Sequence, residues 1–132
     1  MTFLDTSGLV AYFDARDAHH ARARRAWKRI LADPDRPILT SLIIVETVTL
    51  LRRRAGFVVA QRVGERLLSG AVAEIVHVDA RLLLAAWAIF EKYRDHDLSL
   101  TDCASFAVMR QRGITRALTF DDDFRALGFE GL

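Results

Sequence analysis

Four acidic side chains stand where their residue type and surroundings suit metal-dependent chemistry. Asp5 follows a short apolar run, Glu46 is the only charge in LIIVETVTLL, Asp102 lies in LSLTDCASF, and Asp121 opens an acidic run. A donor set made only of oxygen suits Mg²⁺ or Mn²⁺ rather than zinc. Two such ions about 3.5–4 Å apart can activate water and stabilise the leaving oxygen of a phosphodiester displacement. This chemistry requires no histidine, cysteine or serine nucleophile.

The acidic run at residues 121–123 places three like charges directly after an apolar segment. At an effective dielectric constant near 20, one such pair at about 4 Å costs about 4 kcal/mol. A helix start offsets part of this repulsion, because aspartates at the N-cap and in the first turn satisfy free N–H groups. A bound cation is the alternative. It would neutralise Asp121, which ends the strand segment, while Asp122 or Asp123 caps the helix or adds a further ligand.

Glu46 and Asp102 each have a structural explanation as well. No lysine or arginine lies within the stretch around Glu46, so a buried carboxylate there needs a partner or a metal. The alternative is a glutamate at the edge of the apolar face with its carboxylate in water. Ser99 and Asp102 have the spacing of a capping box with Asp in place of Glu. In this position the Asp102 carboxylate also points outward from the N-terminus of the helix.

The elements that position these residues alternate along the chain. Strand-like runs are expected at residues 3–5, 38–40, 73–78 and 117–119, with a short fifth opening at 128–129. Helices are expected at residues 7–13, 18–32, 42–54 and 58–68, from a cap at Asp79 to about 93, and from a cap at Ser99 to 112. This alternation predicts an α/β fold, a three-layer α/β/α sandwich with a central parallel sheet. Ligands of such sheets bind beyond the carboxyl ends of the strands, where Asp5 and Asp121 meet.

Composition sets further bounds. With 132 residues, of which 52% are hydrophobic, residues 1–132 are expected to form a single domain with its own core. The apolar stretches are too short and interrupted to span a bilayer, and the first residues lack a basic leader region, so a cytoplasmic protein without a membrane partner is expected. A single cysteine, Cys103, excludes an internal disulfide and a multi-cysteine zinc site. The net charge of +2 does not by itself indicate nucleic-acid binding.

Other candidate groups fit structural roles better. His19 and His20 point about 100° apart on a helix, so they make a poor shared metal site and indicate a helix start capped by Asp17. Cys103 is expected to be a small buried thiol beside Asp102. Arginines at positions 22–29 and 52–54 can follow an RNA backbone, although most such runs are solvated helix faces.

Together the segments LDTS, SLIIVETVTLL, LSLTDCASFAVM and ALTFDDDF resemble, in order and spacing over nearly the whole chain, the PIN-domain ribonucleases and in particular the VapC-type toxins of prokaryotic toxin–antitoxin pairs. The resemblance implies a PIN-like fold, dependence on Mg²⁺ or Mn²⁺, and cleavage of single-stranded or structured RNA to a 5′-phosphate and a 3′-hydroxyl. It also implies that the metal is bound by Asp5, Glu46, Asp102 and Asp121, with support from a hydroxyl of Thr6 or Ser7. Several family members have a basic residue or histidine at the position of Asp123, so the fourth acid is Asp121, Asp123 or both.

The resemblance also implies partners, namely an RNA substrate, a cognate antitoxin protein and a second copy in a homodimer. The helices expected at 42–68 carry more apolar side chains than one sheet face covers, which agrees with an exposed association surface. Two alternatives come from other classes of protein. A catalytically silent PIN-like scaffold is disfavoured because all four acids are present. A receiver-like signalling module needs a late lysine, and none follows Lys92.

Overall fold

The computed structural model describes residues 1–132 and contains five short parallel strands and seven helices. The strands are β1 (Thr2–Leu4), β2 (Ile38–Thr40), β3 (Glu74–Val76), β4 (Arg116–Leu118) and β5 (Glu130–Gly131). The helices are α1 (Thr6–Phe13), α2 (His20–Ala32), α3 (Ser41–Ala55), α4 (Phe57–Leu68), α5 (Ala80–Lys92), α6 (Leu100–Arg112) and α7 (Asp122–Ala126). Every strand pairs in parallel with its neighbours, which confirms the predicted α/β sandwich with a central parallel sheet.

The order of the strands brings the two ends of the chain together. The order of the strands in the sheet is β3-β2-β1-β4-β5. β1 is therefore central, with β2 and β3 added on one side of it and β4 and β5 on the other. Leu4 of β1 lies opposite Leu118 of β4. The N–H of Asp5 continues this pairing by donating to the Leu118 carbonyl at 3.1 Å. The carboxyl ends of β1 and β4 therefore form one edge, as the sequence predicted for a sheet of this type.

The close approach of α1 to β4 depends on Gly8. A Cβ atom at this position would lie 2.2 Å from the Leu118 carbonyl oxygen, which is far inside van der Waals contact. The missing side chain lets the first turn of α1 rest directly on the strand. The residues at the start of α1 are thereby held against the segment that follows β4.

Short-range caps define several helix starts. The side chains of Asp79 and Ser99 accept hydrogen bonds from Leu82 N (2.8 Å) and Asp102 N (3.0 Å), which confirms both predicted caps. The predicted cap at Asp17 is wrong. That carboxylate accepts from His19 N at 2.8 Å within a turn, and α2 begins only at His20 because residues 14–19 form turns first.

Helix α7 corrects the prediction made for the acidic run. Its N-cap is Asp121, whose Oδ1 accepts from Asp123 N at 2.9 Å, rather than Asp122 or Asp123. The reason is that β4 ends at Leu118, one residue earlier than predicted, and α7 begins at Asp122, which leaves Asp121 at the N-cap position. β1 likewise ends at Leu4, which leaves Asp5 just beyond the strand.

The interior is one cluster of buried apolar side chains, including Phe3, Phe106 and Phe124. Cys103 belongs to it as a free, fully buried thiol, as predicted. The expected apolar surface on α3 and α4 is present, with Val45, Phe57, Val58 and Leu68 each more than half exposed. The exposed face of α5, formed by Leu83, Leu84, Trp87 and Phe90, was not anticipated. None of the helices combines the length and apolar character needed to cross a bilayer.

Candidate active site

Asp5 is the buried anchor of the site. Its side chain is 3% exposed, and its Oδ2 accepts hydrogen bonds from Ser7 Oγ at 2.7 Å and from Thr119 Oγ1 at 2.8 Å. Asp5 is also the N-cap residue of α1, yet its side chain makes no capping bond. The carboxylate is thus held by one hydroxyl from the first turn of α1 and one from the segment that follows β4.

The two hydroxyls that hold Asp5 also fix the segment after β4. Ser7 Oγ accepts the N–H of Phe120 at 2.9 Å, and Thr119 Oγ1 accepts the N–H of Asp121 at 3.1 Å. Each hydroxyl therefore donates to one carboxylate oxygen and accepts from one backbone N–H. The orientation of Asp5 and the path of the chain at Asp121 are coupled through this network.

Three further carboxylates come together beside Asp5. Oxygens of Asp102, Asp121 and Asp123 all lie within 4.8 Å of one another, and all three side chains are partly exposed. Asp102 reaches this position from the first turn of α6, after the Ser99 cap. The structure therefore groups Asp102 of the third motif with Asp121 and Asp123 of the fourth, and it places Asp121 and Asp123 side by side.

One pocket of about 370 Å³ contains most of the predicted site residues. Five carboxylates line it, together with a single arginine, Arg54; the acids are Asp5, Asp17, Glu46, Asp102 and Asp121. Glu46 is half-buried and forms neither a hydrogen bond nor an ion pair. Neither Glu46 nor Asp5 is a member of the tight group of three. Thr6 and Ser7 also line the pocket, but Thr6 Oγ1 has no hydrogen-bond partner.

Burial, with added repulsion between neighbouring carboxylates, raises the pKa of three of these acids. Burial raises the pKa of Asp5 to about 6, although hydrogen bonds from Ser7 and Thr119 oppose the shift. Burial raises the pKa of Asp102 to about 7, with added repulsion from Asp5 and Asp121. Burial and the Asp121 charge raise the pKa of Asp123 as well. Each shift reports a site in which negative charge is costly until a cation compensates it.

The donor set fits a hard divalent cation. All the convergent atoms are carboxylate oxygens, which Mg²⁺ and Mn²⁺ prefer, and no neutral imidazole or thiolate contributes. Cys103 is unsuited to either metal binding or attack, because burial and the neighbouring Asp102 raise the pKa of its thiol to about 11. Arg54 is the one cation in the pocket, and its Nη1 lies 3.3 Å from Asp17 Oδ2.

Sequence reasoning missed several residues that shape the site. Thr119 was treated only as the end of a strand, although a hydroxyl directly before an acidic run is a usable signal. The pairing of Arg54 with Asp17 joins residues 37 positions apart and has no local signature. The stacking of His19 on Phe120 is likewise a contact between distant segments.

A parallel sheet with carboxylates gathered at the carboxyl ends of β1 and β4 is an arrangement that suits the binding of a divalent cation. The chain belongs to the PIN-domain family, whose family model matches residues 2–130. This confirms the resemblance drawn from the sequence.

Similar proteins with curated names come from Mycobacterium tuberculosis. The 23S rRNA-specific endonuclease VapC20 is 39% identical over 129 residues, which cover 98% of this chain and 95% of that protein. Ribonuclease VapC26 is 32% identical over 89% of this chain and 84% of its own length.

Solved structures agree with this assignment. The crystal structure of Mycobacterium tuberculosis VapC20, described as a sarcin–ricin loop cleaving toxin, matches with a TM-score of 0.91 at 35% identity. The match covers 100% of this chain and 98% of that one. A toxin–antitoxin complex from Klebsiella pneumoniae matches with a TM-score of 0.68 at 17% identity, over 96% and 91% of the two chains, and supports the fold alone.

Proposed function

We propose that the protein is a metal-dependent endoribonuclease and the toxin of a toxin–antitoxin pair. The observation that carries this proposal is the convergence of Asp5, Asp102 and Asp121 on one pocket, with Asp5 fixed by hydroxyls from both ends of the chain. An anionic RNA would be repelled by the five carboxylates of this pocket unless a cation were bound among them. Mg²⁺ or Mn²⁺ supplies that charge, acidifies a water molecule and stabilises the leaving oxygen when bound.

The protein residues have separable roles in this proposal. Asp5, Glu46, Asp102 and Asp121 hold the cation, and Asp123 adds a further carboxylate beside Asp121. Ser7 and Thr119 orient the Asp5 carboxylate by donating to its Oδ2. Arg54 places a positive charge in the wall of the acidic pocket. Its guanidinium can leave its ion pair with Asp17 and bind a substrate phosphate instead.

The substrate is proposed from the relatives. Because a protein 39% identical over nearly the whole chain is a 23S rRNA-specific endonuclease, we expect this protein to cleave ribosomal RNA in the sarcin–ricin loop. We also expect a cognate antitoxin to hold it inactive and two copies to form a homodimer. The alternative of a catalytically silent PIN-like scaffold has no specific support, since each proposed ligand is present.

Cleavage of RNA in defined metal conditions tests the proposed function. Purified protein is incubated with a stem–loop carrying the sarcin–ricin sequence and with ribosomes, in Mn²⁺, in Mg²⁺ and in EDTA. We expect cleavage with either metal, none in EDTA, and a loss of at least a hundredfold for Asp5→Asn. Asp95→Asn, a change of an exposed and unpaired aspartate, is the matched control and should leave the rate unchanged.

Cleavage in EDTA, or an Asp5→Asn variant as active as Asp95→Asn, would overturn the metal-dependent mechanism. Cleavage of other RNAs with the sarcin–ricin stem–loop left intact would refute the substrate assignment while leaving the mechanism standing. Absence of cleavage for every RNA in both metals would favour the scaffold alternative.

A further inference from the structure

An aromatic pair stands beside the acidic pocket. The rings of His19 and Phe120 are stacked, with centroids 4.4 Å apart and planes inclined by only 5°. The ring of His19 is exposed and makes no hydrogen bond, whereas Phe120 is half-buried. Phe120 is also fixed by its N–H, which donates to Ser7 Oγ, a member of the network that holds Asp5.

The pair separates two cavities. On one side is the acidic pocket, and on the other is a second cavity of about 290 Å³. The two cavities have only three lining residues in common, namely His19, Phe120 and Asp121. A strand of nucleic acid that leaves the acidic pocket on this side must therefore pass the stacked rings.

The second cavity is less acidic than the first, because two arginines line it beside only two side-chain carboxylates, Asp121 and Asp122. Two arginines line it, Arg22 from α2 and Arg125 from α7, and neither takes part in an ion pair. The Arg22 guanidinium lies 5.3 Å from the centroid of the Phe120 ring. The acidic pocket in contrast has five carboxylates and one arginine, which is itself paired. The two unpaired arginines thus lie where an RNA backbone would continue beyond the proposed cation site.

We propose that His19, Phe120, Arg22 and Arg125 form a subsite for the nucleotide next to the scissile phosphate. Its base stacks on the outer face of His19, because rings 4.4 Å apart leave no room for a base between them. Its phosphate lies near the two arginines in the second cavity. This inference rests on the proposed RNA cleavage and assigns the residues that position the substrate strand for it.

A comparison of variants with substrates that lack one base tests the stacking. The stem–loop with the sarcin–ricin sequence is used intact and with an abasic nucleotide on either side of the mapped cut. On intact RNA, His19→Ala should lower kcat/KM about tenfold, mainly through KM, the loss expected for one base stack. On one of the two abasic RNAs the same variant should match the wild type, because the base it would stack is already missing. Phe120→Tyr should keep the wild-type rate, whereas Phe120→Leu should behave like His19→Ala.

The salt dependence of binding tests the arginines. Binding of the intact stem–loop is measured at a fixed Mg²⁺ concentration as a function of salt concentration, with every protein carrying Asp5→Asn so that the RNA is not cut. Arg22→Gln and Arg125→Gln should each reduce the slope of log K against log salt by about 0.7, the value for one phosphate contact to a single strand. Arg81→Gln on α5 removes an exposed, unpaired charge and should leave the slope unchanged.

The outcomes separate this inference from the proposed function. Normal kcat/KM for His19→Ala and Phe120→Leu, with cleavage by the wild type intact, would overturn the subsite alone. An equal loss on intact and abasic RNA would show that the stack only supports the local chain and would also overturn it. A wild type that cleaves no RNA would overturn the proposed function and the subsite together.

Discussion

Glu46 lies half-buried in the acidic pocket and has no protein partner. The two interpretations of its sequence were a metal-bound glutamate and a surface glutamate with its head in water. Glu46→Gln keeps the shape and removes the charge, so we expect cleavage to fall at least a hundredfold with helical circular dichroism unchanged. Glu65→Gln on α4, an exposed glutamate, is the control and should remain fully active.

A Glu46→Gln variant that loses helicity would mean that the side chain stabilises the fold. One that cleaves RNA at the wild-type rate would mean that the cation is held by the aspartates alone.

The raised pKa values of Asp5 and Asp102 make stability depend on pH. Their folded values of about 6 and about 7 lie above the unfolded value of about 3.9. Between these limits the folded state binds more protons than the unfolded state, so the free energy of unfolding falls as pH rises. We therefore expect the metal-free protein to melt at a higher temperature at pH 5 than at pH 7.5, measured by thermal denaturation in EDTA.

A divalent cation should reverse this trend, because it binds the deprotonated carboxylates and protons compete with it. Saturating Mn²⁺ at a hundred times its dissociation constant should add about 2.7 kcal/mol to the free energy of unfolding. The shift should be largest at pH 7.5 and small at pH 5. An equal shift for Asp102→Asn would show that Asp102 does not bind the metal.

At the scale of helices and strands, two buried threonines near α3 give opposite expectations for the same substitution. Thr40 caps α3 by accepting from Ile43 N at 3.2 Å, whereas the buried Thr47 Oγ1 has no partner. Thr40→Val should cost about 1 kcal/mol because it removes the cap. Thr47→Val should stabilise the protein by about 1 kcal/mol because an unpaired hydroxyl leaves the core. Urea denaturation with an unchanged slope measures both, and the same sign for the two variants would contradict the argument.

The sequence predicted those features that depend on near neighbours or on a repeating pattern. The caps at Asp79 and Ser99 were found because a cap and the N–H it accepts are three residues apart. The sheet edge was found because parallel strands place their carboxyl ends together. The cap of α7 was assigned to the wrong aspartate because three identical residues in a row offer equivalent choices, and only the end of β4 decides among them.

The parts of the site that could not be predicted depend on distant contacts between side chains. Thr119 bonds Asp5 across 114 positions, and His19 meets Phe120 only after the turns before α2 and the end of β4 are both in place. No spacing in the sequence encodes such a pair. The sequence predicted that the acids converge only because they lie at the ends of strands and helices. It did not predict the hydroxyls that fix the geometry of these acids.

At the scale of the whole molecule, two exposed apolar surfaces remain to be covered. One lies on α3 and α4 and the other on α5, and single exposed side chains do not account for surfaces of this kind. We expect a homodimer by light scattering at micromolar concentration. Leu84→Glu and Val58→Glu place a charge on one surface each, so the variant that yields a monomer identifies the dimer interface. A wild-type monomer at high concentration would contradict the homodimer.

The pairing of β1 with β4 also determines when this protein becomes active during its own synthesis. A ribosome releases β1 first, and its central partner β4 follows only after more than a hundred further residues. Closing a loop of this length is slow, and the pairing of β1 with β2 does not supply the residues that follow β4. Asp5 has neither Thr119 nor Asp121 beside it until that closure. A nascent chain still threaded through the ribosome therefore lacks a complete site, and cleavage activity begins only after translation of the strand that completes it.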